Sequence, residues 1–125
     1  MSVKTRTILH VEDNELNRKM LRHLLRNTAY RLIEAHDGEA GVAMARAEHP
    51  DLILMDVQLP KVSGIEATRA LRADPATAAI PIIAITSFAL SGDEQRAKDA
   101  GAAAYLAKPY SPFQLLDMIK AFAHE

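Results

Sequence analysis

Asp56 closes the apolar run Asp51-Leu52-Ile53-Leu54-Met55-Asp56, and the chain then turns through Leu59-Pro60. A run this hydrophobic reads as a strand buried on both faces, as in a parallel sheet. A carboxylate at the end of such a strand gains little for folding, but it can serve as a nucleophile or a metal ligand. Other polar residues fall at equivalent breaks: Glu12-Asp13 after the first apolar run, Thr86-Ser87 after the fourth and Lys108-Pro109 after the fifth. Crowded carboxylates repel one another unless a cation joins them, and oxygen ligands without His or Cys suit a hard ion, Mg²⁺ first. Lys108 adds a positive charge and Thr86 a hydroxyl donor. The set describes a pocket for a tetrahedral anion beside a carboxylate nucleophile, so the chemistry implied is phosphoryl transfer onto Asp56. That reaction needs positioning and charge neutralisation more than a general base. Each residue alone has an ordinary explanation: a turn Asp, a helix-capping Glu12 or Asp13, a solvated Lys108, a β-branched strand end at Thr86. Their joint placement at strand ends is what argues for a site.

The elements that must position these residues alternate strictly. Strands are expected at Thr7–Val11, Tyr30–Ala35, Asp51–Met55, Ile80–Thr86 and Ala103–Ala107, and helices at 14–27, 38–48, 64–73, 91–100 and 112–123. Such alternation is the pattern of an α/β fold with a parallel sheet and right-handed crossovers. Ligands in such sheets bind outside the carboxyl ends of the strands. Ser63 with Glu66, and Ser91 with Glu94, fit capping boxes; Ser111-Pro112 places proline at a first helical position; Gly101 fits a C-cap. In the first helix Leu16, Met20, Leu21, Leu24 and Leu25 form one apolar stripe, with Arg18, Arg22 and Arg26 expected to face elsewhere. His10 interrupts an apolar strand and reads as a satisfied core histidine.

Composition bounds the function classes. At 125 residues the chain is one domain by length, with no linker or repeat. Its 15 basic against 16 acidic residues lack the basic excess of a nucleic-acid binder. The absence of cysteine excludes disulfides, thiolate zinc sites and Cys catalysis. No apolar run approaches the roughly 20 residues of a membrane helix and no signal peptide opens the chain, so a cytoplasmic location is expected.

The motifs Ile8-Leu9-His10-Val11-Glu12-Asp13-Asn14, Leu52-Ile53-Leu54-Met55-Asp56, Leu59-Pro60 with Gly64, Ile85-Thr86, and Tyr105-Leu106-Ala107-Lys108-Pro109 resemble the receiver domain of two-component response regulators, the CheY-like family, over essentially the whole chain. The segments 12–17 and 88–94 are most similar to its DivK-type single-domain group. The resemblance implies a flavodoxin-like (βα)5 three-layer sandwich with a five-stranded parallel sheet of order 2-1-3-4-5, the order of CheY itself. It implies a bacterial phosphorelay switch, not a metabolic enzyme, in which residues 1–125 are a single receiver domain without an output domain. Asp56 would accept phosphate from a sensor histidine kinase or histidine phosphotransferase. Asp13, Asp56 and the backbone carbonyl of Gln58 would ligate Mg²⁺, with Glu12 acting through a metal-bound water. Lys108 would pair with the phosphoryl group, Thr86 would hydrogen-bond to it, and Tyr105 would turn inward as the aromatic switch. A cis peptide is common before the proline matching Pro109.

Departures from the family pattern are Glu12, where Asp is also common, and Ser87, where the family often has Ala or Gly. Gln58 and Phe88 lie near positions that tune dephosphorylation. With no room for a DNA-binding effector after the fifth helix, output is expected through a downstream protein target. Phe113, Leu115, Leu116, Met118, Ile119 and Phe122 cover a wide arc of the last helix, either as a fully packed core helix or as a strip for a partner or a homodimer. Three other functions compete less well. A dehalogenase-like phosphatase needs a second Asp where Gln58 stands. A flavin binder needs glycines or hydroxyls where Glu12-Asp13-Asn14 stands. A phosphorylation-independent adapter has no use for an intact Asp13, Asp56, Thr86 and Lys108.

Overall fold

The computed structural model describes residues 5–86 and 92–124. Five strands alternate with five helices: β1 Thr7–Val11, α1 Glu15–Leu25, β2 Arg31–Ala35, α2 Gly38–Glu48, β3 Leu52–Asp56, α3 Gly64–Ala73, β4 Ile82–Thr86, α4 Asp93–Ala100, β5 Ala104–Ala107 and α5 Pro112–Phe122. All strand pairs are parallel, in the order β2-β1-β3-β4-β5. This is the expected flavodoxin-like architecture.

Side-chain alternation along each strand divides the core into two layers. Ile8, Leu52, Leu54, Ile83 and Leu106 pack on one face against Leu21 and Leu25 of α1 and Leu115 and Ile119 of α5. Leu9, Val11, Ile53, Met55 and Ile82 pack on the other against Ala45 of α2 and Ala67 and Leu71 of α3. The third and fourth strands are buried throughout, which is why their sequences read as continuous apolar runs.

β1 has the expected limits, the other four strands start a residue or two later than expected, and β3 takes in Asp56 at its end. Tyr30 precedes β2 and donates its phenol proton to the Ala123 carbonyl, tying the start of the second strand to the end of α5. Asp51 precedes β3, and its carboxylate accepts the Thr7 N–H at 2.8 Å. Pro81 stands just before β4 and offers only its carbonyl to the ladder, bonded by Ile53 N–H at 3.0 Å.

The helix ends show which capping signals act. Asn14, Asp37, Ser63 and Ser111 accept backbone N–H groups with their side chains. Ser63 caps Glu66 N–H, but the Glu66 carboxylate accepts from the Ser63 hydroxyl instead of the backbone, so the capping box is half formed. The second box is corrected: α4 begins at Asp93 behind Gly92, which has φ 94° and no side-chain bond, while Ser91 lies outside the described residues. Gly101 ends α4 at φ 112°.

The α1 stripe also needs correcting. Leu21 and Leu25 are buried, but Leu16 and Met20 are 64% and 58% exposed, and Arg18 is buried. Arg18 turns inward because it has a partner there: its guanidinium donates to the Glu12 carbonyl at 2.8 Å and pairs with Glu15 at 2.6 Å. Nor is α5 fully packed: Phe113 is 78% exposed.

Gly64 opens α3 directly behind Asp56. A Cβ there would lie 2.0 Å from the Asp56 carbonyl oxygen, with the Val57 backbone also in the way. No rotamer relieves a clash with backbone, so Gly64→Ala is expected to destabilise the fold by about 3 kcal/mol. Urea unfolding would check this; a loss below about 0.5 kcal/mol would mean that the turn relaxes freely.

Candidate functional site

The polar residues flagged at the strand ends converge on one edge of the sheet. Glu12 and Asp13 leave β1, Asp56 ends β3, Thr86 ends β4, and Lys108 follows β5. Carboxylate oxygens of Glu12, Asp13 and Asp56 lie within 4.8 Å of one another. Asp13 is exposed, whereas Glu12 and Asp56 are buried. Lys108 Nζ reaches Glu12 Oε1 at 3.1 Å. The Lys108-Pro109 peptide is cis.

Burying two carboxylates in contact drives them to share a proton. Burial, then the hydrogen bond and charge of Glu12, push the Asp56 carboxyl up to about 8; the Gln58 N–H, 2.9 Å from Asp56 Oδ1, and Lys108 pull the other way. Burial raises Glu12 too, but its hydrogen bond with Asp56 and the ammonium of Lys108 outweigh that and hold it below the usual carboxylate range. Glu12 also accepts from Asn17 Nδ2 at 3.1 Å and Asn14 N–H at 3.4 Å. The shared proton therefore sits on Asp56. Such a pair is a poor resting state and a good cation site: oxygen donors of net negative charge, one of them exposed to incoming solvent ions, match what Mg²⁺ takes.

Thr86 is completely buried. Its hydroxyl donates to Gln58 Oε1 at 3.1 Å. Tyr105, on β5, has its phenol pushed up by burial and by the charge of Asp93, with a hydrogen bond from Thr86 pulling it down. Ser87 and Phe88 lie outside the described residues.

Some participants were missed by sequence reasoning. Arg18 holds the Glu12 carbonyl from below, and Asn17 and Asn14 hold the Glu12 carboxylate. The spacing of Asn14 and Asn17, one turn apart behind an acidic pair, was the available signal. Tyr110 was also missed; burial and the charges of Glu12 and Asp56 raise its phenol. His10 is a core residue but not a satisfied one. Its Nδ1 has no hydrogen-bond partner among the described residues, and burial lowers its pKa to about 4, so it sits neutral in the sheet.

An apolar groove lies beside the site. Leu16, Met20 and Leu24 of α1 face Pro112 of α5, with Lys19 and His23 on the rim.

Comparison with known proteins agrees with this geometry. Residues 8–120 match the family model of the response regulator receiver domain. The polar-differentiation response regulator DivK of Brucella ovis is 45% identical over 118 residues, covering 94% of this chain and 96% of that protein. The receiver domain of sensor histidine kinase PA1611 from Pseudomonas aeruginosa PAO1, with a magnesium ion coordinated in its active-site cleft, is 38% identical. It superposes with a TM-score of 0.87, covering 95% of this chain and 98% of that one. Vibrio cholerae chemotaxis protein CheY4 is 29% identical with a TM-score of 0.87, over 95% of this chain and 99% of its own. With the strand order, the acidic edge and Lys108 in hand, these matches place the chain in the response regulator receiver domain family.

Proposed function

We propose that Asp56 is the phosphoryl acceptor of a two-component phosphorelay and that the chain works as a DivK-type switch. Receiver domains are signalling switches, not metabolic enzymes. The observation that carries the reading is the buried Glu12–Asp56 pair held by Lys108 at 3.1 Å: an acidic pocket that stabilises the fold poorly but accommodates a cation and a transferred phosphate. Among the described residues no helix is long and apolar enough to cross a membrane, which fits a cytoplasmic role.

In this reading Asp13, Asp56 and the Gln58 backbone carbonyl would hold Mg²⁺, with Glu12 acting through a bound water. Bound there, the ion would supply charge that ionises Asp56 and neutralises phosphoryl oxygens. An Asp56 oxygen attacks phosphorus on a partner phosphohistidine. The P–N bond breaks, the imidazole leaves with the electron pair and is protonated, and an acyl phosphate remains. Lys108 leaves Glu12 to pair with the new anion, and Thr86 turns its hydroxyl to it, followed by Tyr105. Added charge at a bistable element is what shifts its population. The Leu16–Met20–Pro112 groove beside the site suits an apolar helix of the phosphodonor; Phe113 and Phe122 of α5 offer a surface for a downstream target or a homodimer.

Incubation with acetyl phosphate and Mg²⁺ is expected to add one phosphoryl group by intact mass, suppressed by EDTA and absent in Asp56→Asn. Phosphorylation that survives Asp56→Asn would refute the assignment.

The proton on Asp56 gives a second test. In the cation-free protein its folded pKa of about 8 exceeds the unfolded value, so the native state holds a proton that the unfolded chain has lost. Stability therefore falls as pH rises from about 4 to 8. The proton is shared across a coupled pair, so we expect a loss of about 2 kcal/mol across that window in EDTA, while the opposite shift of Glu12 acts only below its unfolded value. Asp56→Asn should flatten the profile, and Mg²⁺ should restore stability most at the alkaline end. A flat wild-type profile in EDTA would contradict the shared proton.

Charged substitutions in the groove, Leu16→Asp or Met20→Asp, are expected to slow phosphotransfer from a histidine-phosphorylated donor at least tenfold. Labelling by acetyl phosphate should not change. Equal slowing of both reactions would place the defect in the pocket and not in docking.

A further inference from the structure

Gln58 touches both the nucleophile and the switch, through different atoms. Its N–H donates to Asp56 Oδ1 at 2.9 Å, and its side-chain Oε1 accepts from Thr86 Oγ1 at 3.1 Å. The phosphoryl chemistry above uses the Gln58 backbone only. Thr86 also adjoins the Tyr105 phenol and pulls it toward ionisation. A hydroxyl carries one proton and two acceptor lone pairs. In this structure that proton is given to Gln58. A phosphoryl group on Asp56 presents acceptor oxygens, so it needs the proton that Gln58 already holds. Two acceptors, one proton: the competition is exclusive.

We propose that the Gln58 side chain is a positioning residue that latches Thr86 in its unphosphorylated orientation, so that the phosphoryl group must displace the glutamine carbonyl before Thr86 and Tyr105 can move. The inference rests on the phosphoryl-acceptor reading and deepens it. A hydrogen bond to a charged oxygen is about twice as strong as one to a neutral amide, so the phosphate wins. The latch nevertheless opposes it by the worth of the neutral bond. It holds Thr86 and Tyr105 in the resting arrangement when no phosphate is present.

The experiment titrates the full chain with beryllofluoride, a phosphoryl stand-in, in saturating Mg²⁺. Gln58→Leu removes the acceptor at similar volume and is expected to bind about fivefold tighter than wild type, the worth of one neutral hydrogen bond. In a Thr86→Val background the same substitution should change nothing; in Thr86→Ser, which keeps the hydroxyl, the gain should return. Without ligand, the Tyr105 ring resonances of Gln58→Leu should shift toward their positions in the beryllofluoride-saturated wild type. A purely structural role predicts weaker binding, a lower melting temperature and no shift. Unchanged or weaker binding by Gln58→Leu, or a full gain persisting in Thr86→Val, would overturn the latch while leaving Asp56 as acceptor. A wild type that binds no beryllofluoride would overturn the phosphoryl reading, and the latch with it.

Discussion

Two buried carboxylates in contact, Glu12 and Asp56, with one ammonium, Lys108, within reach, set the terms for the rest of the molecule. Left alone, the pair keeps a proton that neither carboxyl would hold in water. A fold gains nothing from that arrangement, because hydrophobic residues of similar size would serve the core better. The surrounding structure is therefore organised to keep an unfavourable cluster in place. Arg18 is buried to hold the Glu12 carbonyl, Asn14 and Asn17 fix its carboxylate, and α3 begins with glycine so that its backbone can close on Asp56. The local opposition between stability and charge is what makes the edge responsive: whatever brings positive charge relieves it.

That opposition also explains what sequence reading captured. Parallel strands buried on both faces leave continuous apolar runs, so β1, β3 and β4 were visible, and the ends of those runs located Asp56, Glu12-Asp13 and Thr86. Strict alternation gave the fold class; the strand order came from family resemblance, since periodicity does not specify which strands are neighbours. Arg18 was assigned to the solvent side because charge pattern alone cannot reveal a backbone carbonyl waiting beneath a helix. The same blindness hid the exposure of Leu16 and Met20, which belong to the apolar stripe by spacing but line an open groove with Pro112. Buried polar groups usually find partners; the Nδ1 of His10, without one among the described residues, is a tertiary accident that no local pattern encodes.

Side-chain alternation places the chemistry and the switch on different sides of the sheet. Asp56 continues the register of Leu52 and Leu54, which pack toward α1 and α5. Thr86 continues that of Ala84, which packs with Val57 and Ala97 near Tyr105, on the α4 side. In the proposed reading, a phosphodonor seated in the α1 groove would approach Asp56 without covering Tyr105, and a partner that reads Tyr105 would leave the groove free. Loading and reading need not exclude each other, but separating them creates a need for something to carry the state of Asp56 around the sheet edge. Gln58 is placed for that: its backbone belongs to the nucleophile and its side chain to Thr86. Because the link is a single proton with two claimants, its response is discrete, as a switch between two conformations requires.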